Sequence, residues 1–207
     1  MTNGTSVKKI VVIGPESTGK SFLCEQLAQH YNTLWCPEYA RTYLTENGKD
    51  YTYDDLLLIA IGQLAMEDAI TDEIRSTEFE YRNSKFEIRN EKHSTLSIQH
   101  STFLFVDTDM YVMKVWCEYV FGKCHQFILD SIAERQYDLY LLCNIDLPWT
   151  PDELREYPEE APRKELYNIY KNILTNQQTP WVEISGNYEE RFQKAIEGIE
   201  KYIFVDS

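Results

Sequence analysis

Cysteine is present but unpaired by spacing. The five residues Cys24, Cys36, Cys117, Cys124 and Cys143 are odd in number and include no C-x-x-C, so neither a disulfide framework nor a zinc ribbon is indicated. Reduced and mostly buried thiols are expected. The four histidines, His30, His93, His100 and His125, show no H-E-x-x-H or other paired ligand spacing, and no metal is assigned to them. Positive charge is scarce, with 20 Lys and Arg against 34 Asp and Glu and a net charge of −14. A surface of that sign repels phosphodiester backbones and anionic headgroups, so neither nucleic acid nor membrane is expected as a partner. A small phosphorylated ligand is not excluded, because local amides, a few cations and a metal can hold it inside an acidic protein. Long hydrophobic runs are also missing. After Lys8 and Lys9 the apolar stretch is only Ile10 to Ile13, too short for a signal-peptide core or a membrane span, which predicts a cytoplasmic protein.

What remains is a 207-residue chain with 43% hydrophobic and 14% aromatic residues, enough for one packed domain with an insertion. Residues 8–13 read as a buried parallel strand, followed by a weak strand at 33–36 and strand signals at 102–106, 137–143 and 181–184. Helical spacing separates them. Helices are predicted over 20–31, 38–47, from the Thr52/Asp55 capping box to at least Ile74, and over 109–121, 124–135 and 163–176. Asn187 with Glu190 caps a last helix reaching Tyr202. Residues 75–101 break the pattern with dense mixed charge and read as an insertion, partly helical or mobile. Strands alternating with helices predict a three-layer α/β fold: a five-stranded parallel sheet of order 2-3-1-4-5 with the active site at the strands' carboxyl ends.

The strongest chemical signal is Gly14-Pro15-Glu16-Ser17-Thr18-Gly19-Lys20-Ser21, which fits G-x-x-x-x-G-K-[ST] between a predicted strand and a predicted helix. Its glycines let several backbone N–H groups converge on one phosphate, and the helix N-terminus adds partial positive charge. Lys20 then reaches the β and γ phosphates of ATP, and Ser21 offers an oxygen to Mg²⁺. Asp107, at the end of the strand TFLFV, stands where a Walker B carboxylate holds that ion. Asp109 fits two roles equally, a catalytic carboxylate or the cap of the following helix. A GTPase is disfavoured, because no N-K-x-D base-reading motif occurs. Residues 146–165 instead carry Arg155, Arg163 and Lys164 among seven acids and four prolines, the composition of a lid whose arginines neutralise a transferring phosphoryl group.

These residues together resemble the nicotinamide riboside kinase domain of NadR-type proteins, a P-loop kinase group within the wider NadR-like AAA family. The likeness spans nearly the whole chain. It rests on GPESTGKS, on Glu38-Tyr39-Ala40-Arg41, on Asp107-Thr108-Asp109, on Pro148-Trp149 with Asp152, Leu154 and Arg155, on Arg163-Lys164-Glu165, and on Tyr188 with Arg191-Phe192. The resemblance implies Mg²⁺-ATP as donor and the 5′-hydroxyl of a small nucleoside as acceptor, nicotinamide riboside first. Glu38, Tyr39 and Arg41, with Asp109 and Trp149, would line the acceptor side, with Glu38 or Asp109 as the base. Arg155 and Arg163 would face the transferred group, and Gly186-Asn187-Tyr188 would receive the adenine. Pro37 stands where members of the group carry a Trp, which leaves Trp35, Tyr39 or Trp149 as the platform for a flat base. Two rival readings stay open: another nucleoside or small alcohol as acceptor, and a nucleotide-dependent regulatory module.

Overall fold

A computed structural model describes residues 7–88, 103–154 and 156–204, with 78–88 as backbone. Arg155 and residues 89–101 of the charged insertion therefore lie outside the described residues. Five strands, β1 (Lys8–Ile13), β2 (Leu34–Cys36), β3 (Phe103–Asp107), β4 (Leu139–Cys143) and β5 (Trp181–Ile184), pair in parallel in the order β2-β3-β1-β4-β5. That is the predicted order. Seven helices accompany them in the described residues: α1 (Lys20–His30), α2 (Tyr39–Asn47), α3 (Tyr53–Ile88), α4 (Met110–Phe121), α5 (Gln126–Glu134), α6 (Glu160–Thr175) and α7 (Tyr188–Ile203).

Side-chain alternation along the strands builds two cores. Ile10 and Val12 point with Phe103, Phe105, Leu139 and Leu141 toward α1 and α7, whose Leu23, Leu27, Ala195 and Ile199 close that face. Val11 and Ile13 point the other way with Leu104, Val106 and Leu142, against Val112 and Val115 of α4 and Leu166, Tyr170 and Leu174 of α6. A strand buried on both faces needs this continuous apolar run, which is why the parallel sheet was readable from composition. A third cluster, with Leu44, Leu56, Ile59, Met113 and Ile128 among its members, packs α2, α3, α4 and α5 into a helical shoulder beside the sheet.

α3 runs 36 residues, past the expected minimum at Ile74, and carries its backbone into the charged stretch, where Glu, Lys and Arg are good helix formers even though no apolar stripe marks them. One boundary differs from expectation. α6 starts at Glu160 rather than Arg163, so the last residues of the 146–165 segment form its first turns.

A polar tie fixes α3 against the sheet's amino-terminal edge. Glu67 is fully buried and accepts from Lys9 Nζ at 2.6 Å, Tyr137 Oη at 2.9 Å and Arg135 Nη1 at 3.2 Å. Removing one partner of a buried charge cluster leaves the others uncompensated, at about 3–5 kcal/mol. Glu67→Ala is therefore expected to lose stability of that order in urea unfolding, and an unchanged midpoint would contradict the role given to the cluster.

Candidate active site

The chain leaves β1 at Ile13 and turns through a loop that only glycine can begin. Gly14 has φ 145°, and a Cβ there would sit 2.7 Å from the backbone carbonyl of Cys143 in β4. Thr18 Oγ1 donates to the Pro15 carbonyl at 2.7 Å, and Lys20 Nζ folds back to the same carbonyl at 2.9 Å. α1 starts at Lys20 with no side-chain cap, so its first amides stay available to an anion. The loop is tied from behind by Arg191 of α7, which is 2% exposed. Its guanidinium donates to the carbonyls of Thr18 (3.0 Å), Asn144 (2.9 Å) and Gly186 (2.8 Å) and pairs with Asp146.

Asp107 ends β3 beside the loop, where it accepts from Ser21 Oγ at 2.5 Å through Oδ2. Its other oxygen, Oδ1, is buried with no hydrogen-bond partner among the described residues. A hydroxyl and a carboxylate in contact, with one acceptor left open in the interior, form a donor set that fits a hard cation such as Mg²⁺. Burial pushes the Asp107 carboxyl up to about 6, against the opposing pull of Lys20. Thr108, next in the chain, adopts φ 80°, costly for a β-branched residue by about 1–3 kcal/mol. That turn splits the two aspartates. Asp109 caps α4, accepting from the amides of Tyr111 (3.0 Å) and Val112 (3.3 Å), and its second oxygen accepts from Tyr140 Oη at 2.9 Å. Of its two expected roles the geometry displays the cap, and Asp109 is not among the residues that line the cleft.

The cleft has a volume of about 540 Å³ and runs from the loop residues Gly14 to Ser21 to a second half walled by Glu38, Arg41, Trp116, Tyr119, Tyr157 and Tyr170. Glu38 and Arg41 come from the start of α2, as expected, and Arg41 pairs with Asp152 at 3.0 Å. Tyr39 does not line it. Its amide donates to Gln63 Oε1 at 2.7 Å, and its ring lies where a side chain on Gly62 would otherwise be, so Gly62 in mid-helix makes room for it. Trp35 packs with the α1/α7 core, and Trp149 lies under the Arg163 guanidinium at 5.5 Å. Arg163 is itself 5% exposed within α6. Asn187 is taken up by the capping box with Glu190, while Tyr188 faces the cleft, edge-on to Phe22 at 5.0 Å.

The aromatic wall of Trp116, Tyr119 and Tyr157 was missed in the sequence. α4 (MYVMKVWCEYVF) is apolar nearly all round, so no periodicity separates its cleft-facing side chains from its core. Glu16 was expected at the nucleotide, but its carboxylate accepts the backbone amides of Glu156 and Tyr157 in the 146–165 segment. Ser17 Oγ likewise accepts from the Thr150 amide at 3.0 Å.

A phosphate loop between the first strand and helix, a carboxylate at the end of the neighbouring strand and a cleft open to both define a P-loop protein of kinase-like fold. The chain belongs to the AAA-domain family whose sequence model matches residues 9–191. It is 27% identical over 192 residues to the trifunctional NAD biosynthesis/regulator protein NadR of Escherichia coli, covering 92% of this chain and 42% of the relative. It thus spans less than half the length of that curated relative. In fold it is similar to the crystal structure of NadR protein in complex with NR, with a TM-score of 0.67 at 22% identity over 96% of this chain and 50% of that one. It is also similar to thymidylate kinase from Ehrlichia chaffeensis, at 0.56 and 13% identity, covering 95% and 98%. No helix of the described residues is long and apolar enough to cross a membrane.

Burial holds the Asp109 carboxyl at about 7, the hydrogen bonds from Tyr140 and the cap amides pulling the other way. A carboxyl raised in the folded state from an ordinary value of 3.8 favours folding in its protonated form. Its contribution is complete below about pH 4 and is lost as pH rises through about 7. Asp109→Asn keeps an acceptor for the cap amides without the charge. The variant is expected to lose less stability than the parent between pH 5 and pH 8 in urea unfolding; parallel pH profiles would contradict the assignment.

Proposed function

We propose that the protein transfers the γ-phosphoryl group of ATP to the 5′-hydroxyl of a small nucleoside, with nicotinamide riboside the first candidate. One observation carries this reading. The phosphate loop and an aromatic, carboxylate-bearing pocket are two halves of one cleft, so donor and acceptor can meet inside it. The similarity in fold to NadR protein in complex with NR supports nicotinamide riboside as the first nucleoside to test.

In this reading the loop amides and Lys20 hold the β and γ phosphates, while Ser21 and Asp107 hold Mg²⁺, which supplies charge neutralisation on the phosphate oxygens. The exposed Phe22 and Tyr188 rings offer apolar contact to the adenine. Trp116 and Tyr157 take the flat base of the nucleoside, the part assigned to an aromatic before Glu38 in the family pattern. Glu38 accepts the proton of the 5′-hydroxyl as its oxygen bonds to the γ-phosphorus and the bond to the departing ADP oxygen breaks. Arg41 lies on the same wall, and residues 146–165 act as the lid that excludes water. Arg163 holds Trp149 in that lid, and Arg155 remains a candidate for the transferring group.

The two halves are expected to separate by mutation. Lys20→Ala should lower phosphoryl transfer by about 10²- to 10³-fold with the fold intact. Trp116→Ala should raise the nucleoside KM roughly 5- to 150-fold, the range of one base-stacking contact, while the affinity for an ATP analogue holds. Wild-type turnover in Lys20→Ala, or a nucleoside KM untouched by Trp116→Ala, would remove the corresponding half of the proposal.

A further inference from the structure

The side chain of Glu16 lies within the phosphate loop, yet it is engaged with residues 140 positions away. Oε1 and Oε2 accept the Glu156 amide at 3.0 and 3.1 Å, and Oε1 also accepts the Tyr157 amide. Two consecutive amides on one carboxylate are charge-assisted bonds, stronger than ordinary backbone pairs. Both recipients then reach into the acceptor half. Tyr157 lines it and packs edge-on to Tyr119 at 5.5 Å. Glu156 accepts from Tyr51 Oη at 3.1 Å through its carboxylate, and Tyr51 in turn accepts from Trp116 Nε1 at 2.8 Å. A continuous hydrogen-bonded path thus runs from the phosphate loop through the 146–165 segment to the aromatic wall.

From this path we propose that Glu16 is a positioning residue whose carboxylate seats the lid and, through Tyr157 and the Glu156–Tyr51–Trp116 chain, sets the shape of the acceptor pocket, its side chain turned away from the nucleotide. The effect on catalysis rests on the function proposed above; the seating of the lid does not. Charge explains the direction of the side chain, since a carboxylate turned toward the phosphates would be repelled, whereas turned outward it satisfies two amides. Composition explains why two amides suffice. Pro148, Pro151 and Pro158 restrict the backbone of the segment, so fixing it at 156 and 157, and at Thr150 through Ser17, leaves it few alternatives. Loop and pocket are thereby linked: a change in the loop's conformation on binding a nucleotide is passed to the wall that meets the nucleoside.

The test is hydrogen exchange on the nucleotide-free full chain, read on peptides covering 150–157, for the parent, Glu16→Gln and Glu16→Ala. Glu16→Ala should speed exchange in those peptides by about tenfold or more, the loss of a hydrogen bond to a charged acceptor, while strands β1 and β4 stay protected. Glu16→Gln, which keeps one acceptor oxygen, should fall between and keeps the test open if the alanine variant is poorly folded. In steady-state assays the nucleoside KM should rise in the same order, and by more than the ATP KM. Unchanged exchange at 150–157 in both variants would overturn the latch, and a rise confined to the ATP KM would return Glu16 to the nucleotide. A parent with no nucleoside-dependent turnover would overturn the proposed function while the exchange data still decide the latch.

Discussion

A single buried guanidinium organises the carboxyl edge of this sheet. Arg191 donates to backbone carbonyls in the phosphate loop, after β4 and after β5, and pairs with Asp146, which also accepts from the Gly186 amide at 2.6 Å. Three segments far apart in sequence are thereby held at one point. Carbonyls at strand ends have no partner in the ladder, and leaving them buried and unbonded would cost about 1–3 kcal/mol each. Arg191 answers that cost and, in doing so, presents the loop amides outward and sets Tyr188 beside Gly19. The planar, always charged fork of arginine suits this task, where lysine would reach one carbonyl at a time.

Around that fixed edge the site divides its carboxylates by task. Asp107 keeps one oxygen open beside Ser21, while Asp109 spends both oxygens on the start of α4 and on Tyr140. The strained Thr108 between them lets two aspartates so close in sequence face different ways. Glu38 stands apart at the start of α2 and reaches the cleft with no cap bond of its own. The acid on that wall of the cleft is thus left without a capping task at its helix terminus.

Much of this was legible in the residues. The phosphate loop and the capping boxes at Thr52/Asp55 and Asn187/Glu190 are local patterns, which survive in sequence because each is a short chain segment satisfying its own backbone, and the strand order followed from the alternation of strands with helices. What was not legible depends on contacts across the fold. Glu16 meets its amide partners only after the sheet has formed, Trp116 sits on a helix whose apolar faces look alike, and Tyr39 turns away because Gly62 leaves it space. The role of Arg191 was hidden for the same reason, since a lone arginine in a helix's first turns reads as surface until three carbonyls are seen around it.

The claim that donor and acceptor occupy two halves of one cleft is tested most directly by ADP formation from Mg²⁺-ATP, with nicotinamide riboside set beside a panel of ribo- and deoxyribonucleosides. Strong stimulation by at least one nucleoside, greatest with nicotinamide riboside and matched by formation of its 5′-monophosphate, is the predicted result. Tight ATP binding with no stimulation by any member of the panel would contradict it and leave the cleft as a nucleotide site without an acceptor.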